Sequence, residues 1–342
     1  MVGMNQETAP RLTHPHGPTL AAKTLPQLDA DAFLTDAGLE TSLIFDDGLE
    51  LPDFAAFMLL DTPQGRATLQ TYYERYLHIA ADHRVGVVLE TATWRASTDW
   101  VVRQGFTHDD VTRLNKLAVK ELLDLRDKHT ATSDAAVVIS GCVGPRLDGY
   151  SPDRPVSVAE AFEYHAAQVG ALAAAGADLV SAITMTSPDE AIGITLACRD
   201  AGIPVVVSFT VETDGRLPDA TTLDRATRLV DEATGDYPAY FMVNCAHPDH
   251  FSDVLAGSGA GIERIRGLRC NASRLSHAEL DEAEELDRGN PAELAKQYAA
   301  IQQANPQITI WGGCCGTNHD HVVALATSVA ESRATSRIGA SR

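Results

Sequence analysis

From about residue 32 onward, short apolar runs alternate with longer stretches whose apolar residues recur every three or four positions. The runs are AFLTD (32–36), VGVVLET (85–91), AAVVISG (135–141), ADLVSAIT (177–184), IPVVVSFT (203–210), AYFMVNC (239–245), IRGLRCN (265–271) and ITIWGG (308–313). They are brief, mostly β-branched and in part without alternation, which suits strands covered on both faces of a parallel sheet. Segments 68–83, 109–129 and 157–176 carry the helical period. Segment 187–202 opens on Ser-Pro and closes on Gly, 221–235 also closes on Gly, and 290–305 opens on Asn-Pro; these are helix start and stop signals. Eight strands with intervening helices predict an α/β protein, a (β/α)8 TIM barrel over residues 31–335, with a doubly wound sheet as the alternative. Residues 1–30 show no period and read as an N-terminal arm, either mobile or packed across a subunit boundary in a homo-oligomer. Insertions at 37–66 and 272–289 follow predicted strands, so they should shape or cover a site on the strands' C-terminal face.

Composition narrows the partners. The chain has 342 residues, 44% of them apolar, and a formal charge of −20. That is enough apolar material for a large core, and the charge argues against nucleic acid and anionic membranes, which require clustered Lys and Arg. A cationic small molecule would be attracted. No run of 18 apolar residues suggests a membrane span, and the first residues lack an apolar signal core. Six cysteines in a chain of this length do not make a secreted disulfide framework. A reducing cytoplasm is the expected location, with thiols free for metal or catalysis.

Cys314 and Cys315 stand side by side in WGGCCG (311–316), and the glycines are expected to let the backbone turn sharply enough to aim both thiols. Cys245 closes the sixth strand, and the pair follows the eighth. In a barrel these strand ends share one face, so three thiols can converge. Zinc prefers four ligands, and three protein ligands leave an open, catalytic position. An all-sulfur site is soft and suits a substrate thiolate, which would then attack an electrophilic carbon. The other readings are a core cysteine for Cys245, as for Cys142, Cys198 and Cys270, and a redox-active or zinc-storing centre for the pair. A hydrolytic zinc barrel is disfavoured, because the ligand set holds no histidine or carboxylate.

The opening LTDAGLETSL (34–43), VNC at 243–245 and GGCCG at 312–316 resemble the homocysteine S-methyltransferase family, over about residues 33–330. The resemblance implies a Zn2+-dependent barrel that moves a methyl group to the thiol of homocysteine, giving methionine, with Cys245, Cys314 and Cys315 as metal ligands and catalytic residues. It places Asp36 near the substrate amino group and Asn244, just before the first zinc cysteine, among the substrate-binding residues. Two departures bear on substrate. Ala37 replaces the first Gly of the usual Asp-Gly-Gly. Ile183 stands where relatives carry the Glu that grips the homocysteine ammonium, and losing such a charge-assisted bond costs about 1.5–3 kcal/mol. Either Asp36 or Glu90 then holds the amine, or the acceptor is a different small thiol or selenol.

For the cationic methyl donor, Trp94 offers an aromatic face. Arg95 beside it disfavours a quaternary ammonium, so S-methylmethionine or S-adenosylmethionine is preferred over betaine. Glu90 would pair with the donor cation, the acceptor amine or Arg95. GCVGP (141–145) reads as a tight loop whose backbone N–H groups line the acceptor carboxylate. Tyr72 and Tyr73 read as core or interface, His247 as a helix start, and His319 and His321 as the start of the last helix.

Overall fold

The computed structural model describes residues 25–30, 32–149, 154–283 and 285–340. Eight parallel strands close into a barrel in sequence order: β1 (Phe33–Thr35), β2 (Gly86–Glu90), β3 (Val137–Val143), β4 (Leu179–Met185), β5 (Val205–Phe209), β6 (Tyr240–Asn244), β7 (Ile265–Cys270) and β8 (Ile310–Gly313). The TIM barrel expected from the apolar runs is therefore the fold, and the doubly wound alternative is excluded by the pairing of β1 with β8, Phe33 opposite Ile310 and Leu34 opposite Trp311.

Alternation along the strands separates two apolar clusters. Leu34, Val87, Leu89, Ile139, Val205 and Val207 pack outward against the helices. Phe33, Val88, Val138, Leu179, Val206 and Ile310 fill the barrel interior. One step further toward the strand C-termini, the same inward register carries Thr35, Glu90, Ser140, Ser181, Ser208, Asn244 and Arg269, all buried. The barrel thus has an apolar plug topped by a polar layer, and the site rests on that layer.

The helix signals hold in detail. Ser187 caps the helix Pro188–Ala201, and Gly202 ends it in the left-handed region. Asn290 caps Pro291–Ala304, and Thr62 with Pro63 starts the helix Pro63–His83. That last helix begins five residues ahead of the expected 68, because its first turn is fixed by the cap and has no apolar period of its own. Short helices Thr98–Arg103 and Ala260–Glu263 were not foreseen; each is shorter than the window needed to reveal a period.

Of the N-terminal arm, residues 1–24 lie outside the described residues. Residues 25–30 sit at the barrel floor, with Leu25 and Gln27 buried and Arg266 donating to the Leu28 carbonyl at 3.1 Å. Among the described residues, no helix is long and apolar enough to cross a membrane.

Gly312 and Gly313 are not turn residues. They lie in β8, where a Cβ on Gly312 would run into the Thr35 hydroxyl and one on Gly313 into the Thr317 hydroxyl. Only Gly316 adopts a positive φ, 79°. Gly312→Ala is expected to cost about 1–3 kcal/mol by overpacking the β1–β8 seam. Gly170→Ala, in the helix Val158–Ala175 where a Cβ meets open space, should stabilise by about 0.5–1 kcal/mol. Urea denaturation of the two variants reads these opposite signs.

Candidate active site

The C-terminal ends of the strands surround a cavity of about 340 Å³. Cys245, Cys314 and Cys315 lie on its wall, with their sulfur atoms all within 4.8 Å of one another. Cys245 Sγ and Cys315 Sγ are 3.9 Å apart. Sulfurs sharing a tetrahedral zinc at bond lengths of about 2.3 Å lie ~3.8 Å apart, while a disulfide needs about 2.05 Å. The donor set and its spacing fit a soft divalent ion with a fourth, open position. All six cysteines are free thiols.

The geometry of this cluster is built by the backbone around it. Cys245 adopts φ 53° and Thr184 φ 65°, conformations that cost non-glycine residues of order 1–3 kcal/mol and must be held by their surroundings. The Cys245 N–H donates to the Arg269 carbonyl at 3.1 Å, and its own carbonyl accepts from Asn271 Nδ2 at 3.0 Å and His277 Nε2 at 2.7 Å. Asn244 accepts from the Thr184 N–H at 3.0 Å and from Ser208 Oγ at 2.6 Å, and donates to Thr184 Oγ1 at 2.9 Å and Cys314 Sγ at 3.9 Å. Asn244, expected at the substrate, stands instead behind the cavity wall, tying β4, β5 and β6 to the cysteine loop.

Asp36 and Glu90 flank a residue that sequence reasoning passed over. Arg269 is buried and donates from Nη2 to Asp36 Oδ1 at 2.7 Å and the Ala37 carbonyl at 3.3 Å, and from Nε to the Gly313 carbonyl at 3.2 Å. Its Nη1 faces Glu90 Oε1 at 3.4 Å. Glu90 therefore pairs with Arg269, not Arg95. The available signal was the arginine itself, at the inward, C-terminal end of a barrel strand, where a charge is costly unless paired. Burial pushes the Asp36 carboxyl up to about 7, against the pull of Arg269. Burial likewise raises Glu40 to about 7 and Glu90 above its ordinary value.

Trp94 lies half-buried on the cavity wall. The Arg95 guanidinium sits 4.2 Å from its ring centroid and 3.6 Å from that of Trp100, so one face of Trp94 already carries a cation. Ile183 lines the cavity beside Thr184. GCVGP is not the expected loop: β3 runs through Val143, and the N–H groups of Cys142 and Gly144 donate to Thr91 Oγ1 and the Trp94 carbonyl, leaving neither for a ligand. Tyr72 and Tyr73 are buried and reach the site from behind, donating to the carbonyls of Ala37 at 3.1 Å and Glu90 at 2.7 Å. His247 caps the helix Pro248–Leu255, and His319 opens the last helix. Both insertions reach the cavity, one with Asp53 and Phe54, the other with Asp281.

Fold and site together define an α/β-barrel with a three-thiol centre at the mouth of a closed sheet. The homocysteine S-methyltransferase family model matches residues 33–329, and the chain belongs to that family, which makes it a methyltransferase. It is 21% identical over 291 residues to the homocysteine S-methyltransferase YbgG of Bacillus subtilis, covering 80% of this chain and 86% of the relative. In structure it is similar to the Escherichia coli homocysteine methyltransferase MmuM in its oxidized form, with TM-score 0.68, 20% identity and coverage of 87% of this chain and 96% of MmuM. The metallated form gives TM-score 0.67 at 20% identity, covering 88% and 98%.

The Cys314 thiol is pushed up to about 12, first through its hydrogen bond with the Cys245 thiol, and Cys315 is raised further by the same neighbour. Both thiols are therefore protonated at neutral pH until a cation displaces their protons. Zinc titrated into the protein should release about three protons per ion, one per thiol, and its affinity should fall about 1000-fold per unit of acidification. Calorimetry in buffers of different ionisation enthalpy measures the release, and Cys314→Ser should reduce it to about two.

Proposed function

We propose that the protein transfers a methyl group from a cationic donor to the thiol of homocysteine, giving methionine, with Zn2+ held by Cys245, Cys314 and Cys315. The convergence of these three thiols within 4.8 Å carries the reading. Zinc held there supplies Lewis acidity that keeps a fourth, substrate sulfur ionised at neutral pH.

The rest of the chemistry falls to the chain. The thiol proton passes to solvent when the acceptor binds. The thiolate sulfur then forms a bond to the methyl carbon while the bond from that carbon to the donor's sulfur or nitrogen breaks. The electron pair stays with the donor, which departs neutral, so no general acid is required. A cation and an anion both lose their charges in this step, so the apolar wall of Ile183, Trp94 and Trp100 favours the transition state over the separated ions. Asn244 and Arg269 hold the cysteine loop in place.

Acidic groups at the cavity favour a cationic donor. Asp148 and Asp281 line it with Glu40, and Asp281 is raised by burial and by the nearby Asp148 charge. Arg95 over Trp94 disfavours the close aromatic enclosure that betaine requires, which leaves the sulfonium donors S-methylmethionine and S-adenosylmethionine ahead. The aliphatic Ile183 supports a second reading, in which the acceptor is another small thiol or selenol.

The test crosses homocysteine, selenohomocysteine and amine-free thiols with S-methylmethionine, S-adenosylmethionine, betaine and a dimethylsulfonium donor, using zinc-loaded protein and mass-spectrometric detection. Methionine should form from homocysteine with a sulfonium donor and not in Cys314→Ser. Absence of methylation of homocysteine by every donor refutes the leading reading, and exclusive methylation of an amine-free thiol establishes the second.

A further inference from the structure

Resting on the zinc centre proposed above, we propose that His277, the first residue of the short helix His277–Glu282, is a positioning residue for the metal: its ring N–H holds the Cys245 carbonyl and thereby aims the Cys245 sulfur at the ion. The acidic insertion that shapes the cavity rim is in this way part of the metal centre's support.

The three thiols are not held alike. The Cys314–Cys315 pair is fixed by main chain at the end of β7: the Cys314 N–H donates to the Cys270 carbonyl at 2.9 Å, and the Cys315 carbonyl accepts from the Ala272 N–H at 3.0 Å. Cys245 sits at φ 53°, and a residue other than glycine stays in that region only where its surroundings hold it. Its N–H is bound by main chain, donating to the Arg269 carbonyl at 3.1 Å, but its carbonyl is gripped by side chains. Asn271 Nδ2 donates at 3.0 Å and His277 Nε2 at 2.7 Å, with Thr210 Oγ1 at 3.5 Å. His277 makes the shortest of these contacts. A bond to the N–H on one side of Cα and bonds to the carbonyl on the other fix both backbone dihedrals, and with them the direction in which Cβ and Sγ leave the chain.

The surroundings of His277 suit this contact. At 6% exposure it is the buried residue of its helix. Its Nδ1 faces Glu212 Oε1 at 3.1 Å, which sets the rotation of the ring. A capping box between Ser276 and Glu279 fixes where the helix starts, and Arg274 anchors the preceding turn through Asp249 and Glu293. Groups that orient a metal ligand in this way change metal affinity by about 10- to 100-fold. Asp281, one turn further along, lines the cavity, so a single helix touches both the rim and a metal ligand.

The experiment measures zinc affinity of the full chain, stripped of metal, by competition with a chromophoric chelator at fixed pH. Cobalt(II) substitution adds a thiolate-to-metal charge-transfer band as a second readout. His277→Ala should weaken zinc binding about 10- to 100-fold and lower the cobalt band, because the Cys245 sulfur is no longer aimed at the ion. His277→Gln, whose Nε2 can donate to the same carbonyl, should recover much of both. Arg274→Ala loosens the insertion without touching Cys245 and should leave zinc affinity near wild type. Glu212→Ala changes a half-buried side chain and should weaken zinc binding less than His277→Ala does. Melting of the zinc-free proteins verifies that each variant folds. Zinc affinity unchanged in His277→Ala (or in Glu212→Ala, should His277→Ala not fold), no recovery in His277→Gln, or an equal loss in Arg274→Ala overturns the assignment and leaves the methyltransferase reading intact. Failure of the wild-type chain to bind zinc overturns both.

Discussion

One buried guanidinium ties together four strands at the seam where the barrel closes. Arg269 projects from β7, donates to the Gly313 carbonyl of β8, and reaches Asp36 and the Ala37 carbonyl just past β1. Its remaining edge faces Glu90 of β2. The β1–β8 pairing is itself short, and Gly312 must lack a side chain for the strands to meet over Thr35. The cysteine pair begins at the residue after Gly313. Whatever fixes that carbonyl also fixes the direction in which the two thiols leave the sheet. Removing one partner from a buried ion pair costs about 3–5 kcal/mol, because the other charge is left without compensation. Here the loss would fall on the geometry of the site as well as on stability.

The same arginine changes what the carboxylates around it can do. Asp36 has its best hydrogen bond to Arg269 and is pinned in the wall. Glu90 shares the same cation at a longer distance, 3.4 Å, with both oxygens buried. Two acids of similar chemistry, at the ends of neighbouring strands, are thus held unequally by a single residue on β7, two positions around the ring from β1 and three from β2. Pushed-up carboxyls at Asp36 and Glu40, each to about 7, mark a region with too little positive charge for its burial.

Much of this was legible in the chain. Strand positions followed from short β-branched runs, helix ends from Ser-Pro, Asn-Pro and Gly signals, and the thiol centre from Cys245 ending one run and Cys314–Cys315 following another. These features are local, or depend only on the order of strands. What was not legible depends on pairing between distant segments. Arg269 appears in sequence as one of two arginines in IRGLRCN, and only closure of the barrel sets it against Asp36, 233 residues away. Glu90 was assigned a choice of three partners, and its actual one came from the opposite side of the seam. The GCVGP segment looked like a loop because two glycines suggest a turn, yet tertiary pairing with β4 carries the strand through Val143. Asn244 was placed at the substrate because it precedes a ligand; strand alternation turns it inward and down, into the polar layer that supports the ligand.

That polar layer explains why a reactive centre can rest on a rigid sheet. Inward positions deeper in the barrel are apolar and close-packed, so they cannot reorganise when a ligand binds. Above them, Ser140 with Ser181 and Ser208 with Asn244 satisfy one another at 2.7 and 2.6 Å, leaving few donors or acceptors that could swing toward a substrate. The cavity is lined by the three thiols and Glu90 near the sheet and by Asp53, Asp148 and Asp281 from the loops. Charge is therefore graded along the cavity, with thiols and a deep carboxylate near the sheet and further acids by the insertions. On the proposed function, an anionic sulfur held at the sheet meets a cationic donor drawn toward the acidic rim, and that grading follows from where the fold places its charged groups around the cavity.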